Sequence, residues 1–250
     1  AAGFTWRTYR HPEQDWGDGE AFFRKIFAGA VVNDWTSREM ALKDVAFSSK
    51  QLVKFVRANR LLPWICAHFS VPGPLLLVRH PCAVVASQLN YGWSSVETPE
   101  RPAFVSKESP IATVLMGLRS DEERLAATWA LDQMPALGKD GPRPWKVITY
   151  EELILRPEET LDAICLHWGV QIDMKAALGK LKKPSSVVSS SGMSGLRGWR
   201  QKLSEVQVDR ILRTTRSLGM DFYSDQDEAD YARLDDVSLA AGLVSQGVKI

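Results

Sequence analysis

The chain of 250 residues holds only three cysteines, and none is placed to pair or to ligate. Cys66, Cys82 and Cys165 are scattered through apolar segments, with no CxxC spacing. That excludes a disulfide framework and points to buried thiols of a reducing, cytoplasmic compartment. Four histidines (His11, His68, His80, His167) do not cluster, so no metal site is expected. Charge of one sign is also missing. Thirty-one basic side chains face thirty acidic ones, a net charge of +1. A nucleic-acid surface driven by overall charge is excluded, although a local basic site is not. No apolar run is long enough to span a bilayer. The first residues, Ala1-Ala2-Gly3-Phe4, carry neither Met nor a basic-then-apolar leader, which reads as a processed, trimmed or partial start.

What is present is the composition of one sizeable globular α/β domain, with 45% apolar and 24% charged residues. The most informative stretch begins with the apolar run Pro74-Leu75-Leu76-Leu77-Val78, which reads as a buried parallel strand. Arg79-His80 follows, and Pro81 then suits the first position of a helix, where its fixed φ helps and its missing N–H is not needed. Cys82–Asn90 is helix-compatible, with small residues at Ala83, Ala86 and Ser87. A guanidinium is thereby placed at a strand's carboxyl end beside a helix N-terminus, where α/β folds receive phosphate. The ordinary alternative is a turn arginine and a surface serine.

Along the rest of the chain, helical spacing is expected over Glu20–Phe27, Gln51–Phe69 (kinked or restarted at Pro63), Asp121–Met134, Glu158–Trp168 and Glu205–Leu218. Met40–Phe47 is a weak strand candidate, and Trp145–Thr149 a second short buried strand. Gly92–Leu118 reads as a long loop or functional flap, and Pro184–Gly198 as a Ser/Gly loop. From Ser224 the chain is acidic and then small and apolar, so 224–250 is expected to fray as a tail. Short buried strands alternating with longer helices predict a parallel sheet flanked by helices.

Leu76-Leu77-Val78-Arg79-His80-Pro81, with Ser87 eight residues after Arg79, resembles the 3′-phosphate motif of sulfotransferases that use 3′-phosphoadenosine 5′-phosphosulfate (PAPS). The resemblance implies that Arg79 and Ser87 hold the 3′-phosphate. Lys146-Val147-Ile148-Thr149-Tyr150-Glu151-Glu152-Leu153, then Arg156-Pro157-Glu158, is similar to a second signature of that family. It implies that Tyr150 packs near the adenine and that Glu151 anchors the sheet's edge. Read from the residues alone, Tyr150 is equally a core aromatic with its hydroxyl on a backbone group. Ser189–Arg200 resembles the family's C-terminal nucleotide loop, with Arg197 completing the charge, but its basic residues follow the glycines instead of preceding them. A surface linker is the alternative. Lys43-Asp44 corresponds to a family position that meets the transferring group, or else is an exposed ion pair. His68 corresponds to a general base that deprotonates the acceptor, or else caps carbonyls at a helix end.

The resemblance covers about residues 38–220. It implies a three-layer α/β fold of the P-loop NTPase-like sulfotransferase type over 1–223, and an enzyme that moves a sulfuryl group from PAPS to a hydroxyl or amine. The acceptor is expected to be a small molecule or glycan, lined by Trp93, Phe104 and Met116, with no metal and no nucleic acid involved. One departure counts against this. The family's Gly-rich 5′-phosphosulfate loop, a strand followed by glycines and a basic residue, does not occur in these 250 residues. The domain is therefore expected to be N-terminally incomplete and nearly inactive alone. The alternatives are a non-catalytic nucleotide-binding remnant, a P-loop kinase (for which no Walker lysine is visible) and a helical interaction protein.

Overall fold

A computed structural model describes residues 7–31, 52–92, 99–138, 143–181 and 192–237. The protein is α/β and mostly helical, and it divides into two compact units, Ala1–Phe69 and Ser70–Ile250.

In the first unit, α1 (Gly17–Phe27) and α2 (Leu62–His68) are built around an aromatic cluster. Phe23 is 2% exposed, and its ring lies 5.7 Å from Phe55, 5.9 Å from Trp64 and 6.1 Å from Phe69. Of the helix expected over 51–69, kinked or restarted at Pro63, only the part from Leu62 is formed among the described residues. Residues 53–55 are irregular, a 3₁₀ turn spans Asn59–Leu61, and the helix starts afresh with Pro63 in its first turn. Proline cannot donate the bond that a helix running through it would require, but a first turn asks for none.

In the second unit, β1 (Leu75–Val78) and β2 (Lys146–Thr149) pair in parallel, Leu75 opposite Lys146 and Val78 opposite Thr149. Among the described residues the sheet has these two strands. Leu76 and Val78 are buried on one face, while Leu77 on the other is 51% exposed. The expectation of a strand buried on both faces therefore holds for one face only. The crossover from β1 to β2 carries α3 (Pro81–Asn90), α4 (Pro110–Gly117) and α5 (Asp121–Leu137). Ser109 caps α4 and buries Ile111, Ala112 and Leu115, so the expected loop over 92–118 contains a packed helix.

Ser120 and Glu123 form a reciprocal capping box at the start of α5. Pro135 lies in its last turn, and the Ala136 carbonyl, left open at the helix end, accepts from the Trp145 indole at 3.0 Å. The helix therefore runs past the expected end at Met134. After β2 come α6 (Tyr150–Leu155), α7 (Pro157–Trp168, closed by Gly169 at φ 60°) and α8 (Met174–Leu181). Then follow α9 (Gly192–Arg197), a 3₁₀ turn at Gly198–Gln201, α10 (Glu205–Ser217) and α11 (Tyr231–Asp235). Helices α10 and α3 both pack on α5. The expected loop over 184–198 thus ends in a helix from Gly192. The expected fraying from Ser224 is not seen through 237. Ala229, Leu234 and Val237 are buried, and Arg156 bonds both Glu228 and the Tyr231 hydroxyl. Residues 238–250 lie outside the described residues. No helix among the described residues is long and apolar enough to cross a membrane.

Candidate anion site at the strand ends

Because Val78 is in register with Thr149, the two chains leave the sheet side by side, and Arg79 and Tyr150 become neighbours. The Arg79 guanidinium lies 4.4 Å from the centroid of the Tyr150 ring, a cation–π contact. Its Nη2 donates to the Gly195 carbonyl at 2.7 Å, which ties α9 to the end of β1. Among the described residues its buried Nε has no partner, and Arg79 makes no ion pair with a carboxylate. The Arg79 carbonyl accepts from the Trp129 indole of α5 at 3.1 Å. Both backbone and side chain are thus held, while one guanidinium donor stays unused. Tyr150 opens α6 behind a second capping box, in which Thr149 Oγ1 accepts from the Glu152 amide and the Glu152 carboxylate accepts from the Thr149 amide at 2.9 Å.

The turn between β1 and α3 is fixed by a buried polar network. His80 is the N-cap residue of α3, and its Nδ1 accepts from the Cys82 amide at 3.2 Å. Its Nε2 donates to the Ser224 carbonyl at 2.9 Å, so the two bonds together select the neutral ring protonated at Nε2. The ring is sandwiched, 4.9 Å from Trp199 in a stacked geometry and 4.8 Å from Tyr223. Burial pulls the His80 pKa down to about 4, helped by the charge of Arg200 and opposed by the Ser224 carbonyl and by Asp227. Glu151 is 1% exposed, and its carboxylate accepts from the His80 amide at 3.0 Å and the Tyr223 hydroxyl at 2.7 Å. Burial raises the Glu151 pKa and pushes Tyr223 well above the usual phenol range. One carboxylate therefore joins the ends of both strands to the C-terminal segment.

Arg197 is engaged by a carboxylate. Its Nε donates to Asp227 at 2.6 Å, and Arg200 donates to the other oxygen of Asp227 through Nη2 at 3.0 Å and Nε at 3.3 Å. Arg200 also lies 4.3 Å over the Trp199 ring and donates to the Asp225 carbonyl. Ser87 sits half-buried in the second turn of α3, its hydroxyl without a hydrogen-bond partner among the described residues. His68 belongs to the first unit, where its Nε2 donates to the Pro12 carbonyl at 3.0 Å and its ring stacks 4.4 Å from Trp64. Lys43 and Trp93 lie outside the described residues, and Met116 is an exposed residue of α4.

Arg79, Tyr150 and the Gly195 backbone are therefore brought together. His80, Trp199, Tyr223 and Asp227 carry no role in the sequence reading. Only the placement of His80 before Pro81, at an N-cap position, was a readable signal. Among the described residues no group of three or more His, Cys, Asp or Glu side chains is arranged to hold a metal ion. Comparison with known proteins finds no matching family model and no significantly similar curated protein or solved structure.

Proposed function

We propose that the chain is a PAPS-dependent sulfotransferase of the three-layer α/β type, moving a sulfuryl group to a hydroxyl or amine of a small-molecule or glycan acceptor. The observation that carries this reading is the setting of Arg79. It stands at the carboxyl end of β1, face-on to Tyr150 at the end of β2, with one buried donor unfilled beside the N-terminus of α3. A buried unpaired donor is costly, and a phosphate oxygen is the strongest partner it can gain. The helix N-terminus adds a favourable field for the same charge.

In this reading Arg79 and the free Ser87 hydroxyl hold the 3′-phosphate. Arg79 occupies one face of Tyr150, which leaves the ring's other face or edge for adenine. Arg197 adds charge from α9. Bound PAPS supplies the activated sulfuryl group, which passes in line to the acceptor as its bond to the 5′-phosphate breaks, releasing adenosine 3′,5′-bisphosphate. By the resemblance alone, Lys43 is the candidate for stabilising charge on the leaving phosphate and His68 the candidate base.

The test is transfer of radiolabelled sulfate from PAPS to a panel of hydroxyl and amine acceptors, run beside nucleotide binding. Turnover by these 250 residues, which lack the Gly-rich 5′-phosphosulfate loop, is expected to be very low, so binding carries the test: PAPS binding that Arg79→Ala weakens at least about tenfold supports the reading, and no binding overturns it.

A further inference from the structure

The same corner of the molecule already contains an anion. Asp227 receives three guanidinium N–H groups from Arg197 and Arg200, at 2.6, 3.0 and 3.3 Å. Burial alone would raise its pKa, but the hydrogen bonds from Arg200 and Arg197 hold it below the usual carboxylate range. The two arginines are not walled in, for their side chains are 59% and 41% exposed against 19% for Asp227. They also belong to the recognition corner. Gly195, two residues before Arg197, accepts from Arg79, and Trp199, next to Arg200, stacks on the N-cap His80 of α3. The Trp199 indole N–H is itself buried without a partner.

We propose that Asp227 is an internal competitor, occupying the Arg197–Arg200 pair until a phosphate-bearing ligand displaces its carboxylate. The proposal rests on the nucleotide reading above for the ligand's identity, but not for the exchange itself.

Two features make the exchange cheap. Exposed ion pairs are individually weak, and a phosphate dianion offers more charge and more acceptor oxygens than one carboxylate. The segment that carries Asp227 is also held without it. The Tyr223 hydroxyl is on Glu151, the Ser224 carbonyl is on His80, and Glu228 is on Arg156 and Tyr231. Asp227 can therefore let go while its neighbours stay in place. The arginines are thus available only to a ligand that outcompetes a carboxylate, which selects phosphate esters over weaker anions such as carboxylic metabolites.

The experiment compares the wild-type chain with Asp227→Asn, which keeps the side-chain shape and removes the charge. Calorimetry uses two probes, inorganic pyrophosphate and adenosine 3′,5′-bisphosphate. Loss of two competing surface pairs should tighten binding of both by about tenfold, and Arg200→Gln in the Asp227→Asn background should abolish the gain. If Asp227→Asn acquires pyrophosphate while neither protein binds the nucleotide, the competitor stands and the nucleotide reading fails. If both bind the nucleotide equally and Asp227→Asn gains nothing for pyrophosphate, the competitor fails and the nucleotide reading stands. If no probe binds either protein, both fail. Should Asp227→Asn not fold, the wild-type chain carries the test. Nucleotide or pyrophosphate must then shift the side-chain Nε–H resonances of Arg197 and Arg200, and unchanged resonances at saturation overturn the proposal.

Discussion

Acidification should loosen the β1–α3 turn through one residue, His80. Its Nδ1 accepts from the Cys82 amide, so a proton there would set two donors against each other. The added charge would also sit at the positive end of α3 and near Arg200. The Ser224 carbonyl, Asp227 and the Gln226 backbone oppose this, but burial wins and the pKa falls to about 4 from a usual 6.5. The sign follows from linkage. Below pH 6.5 the unfolded chain takes up a proton that the folded chain refuses, so the stability is fully present above 6.5 and is lost as pH falls toward 4. At roughly 1.4 kcal/mol per pH unit the total is about 3 kcal/mol. The control is His80→Asn, because asparagine also caps helices but does not titrate. Urea unfolding of both proteins from pH 7 to pH 4 isolates the term, since the raised Glu151 and lowered Asp227 titrate in both. The wild type should lose about 3 kcal/mol more than the variant across that window. Parallel pH profiles would refute the assignment of a neutral, doubly bonded His80.

Two stability measurements probe the rest of the scaffold. Tyr223→Phe removes the hydroxyl donor from a carboxylate that is 1% exposed and should cost about 1.5–3 kcal/mol in chemical denaturation, with a loss under 0.5 kcal/mol arguing that Glu151 is solvated. Leu76→Ala should cost about 2–5 kcal/mol, whereas Leu77→Ala on the open face of β1 should cost well under half of that. Equal losses would mean that both faces of the strand are covered.

The two strands and the four longest helices of the second unit, α3, α5, α7 and α10, were legible because their signals are local, whereas the shorter α4, α6, α8, α9 and α11 were not expected. An apolar run ending in Arg-His-Pro specifies a strand end and a helix start within a few residues. Where the sequence misled, distant contacts decided. Ser224–Val237 looks like a tail by composition, yet Arg156 and His80 hold it from more than seventy positions away. Pro63 was visible, but whether it kinks or restarts a helix depends on the aromatic packing of Phe55 against Phe23. At the candidate site, Arg79 and Tyr150 were each readable as motif residues, and the strand register makes them neighbours. Asp227 carries no motif at all. Its role appears only when Arg197 and Arg200 are seen to converge on it.

The central claim is that Arg79 serves a phosphate on the 3′ side of an adenosine nucleotide. Its most direct test is calorimetry of adenosine 3′,5′-bisphosphate against adenosine 5′-monophosphate, with the wild-type chain and with Arg79→Ala. A charge-assisted pair worth about 1.5–3 kcal/mol predicts that the bisphosphate binds about 10–100-fold more tightly, and that Arg79→Ala removes most of this preference while the variant still unfolds cooperatively. Equal affinities of the wild-type chain for the two nucleotides would contradict the claim.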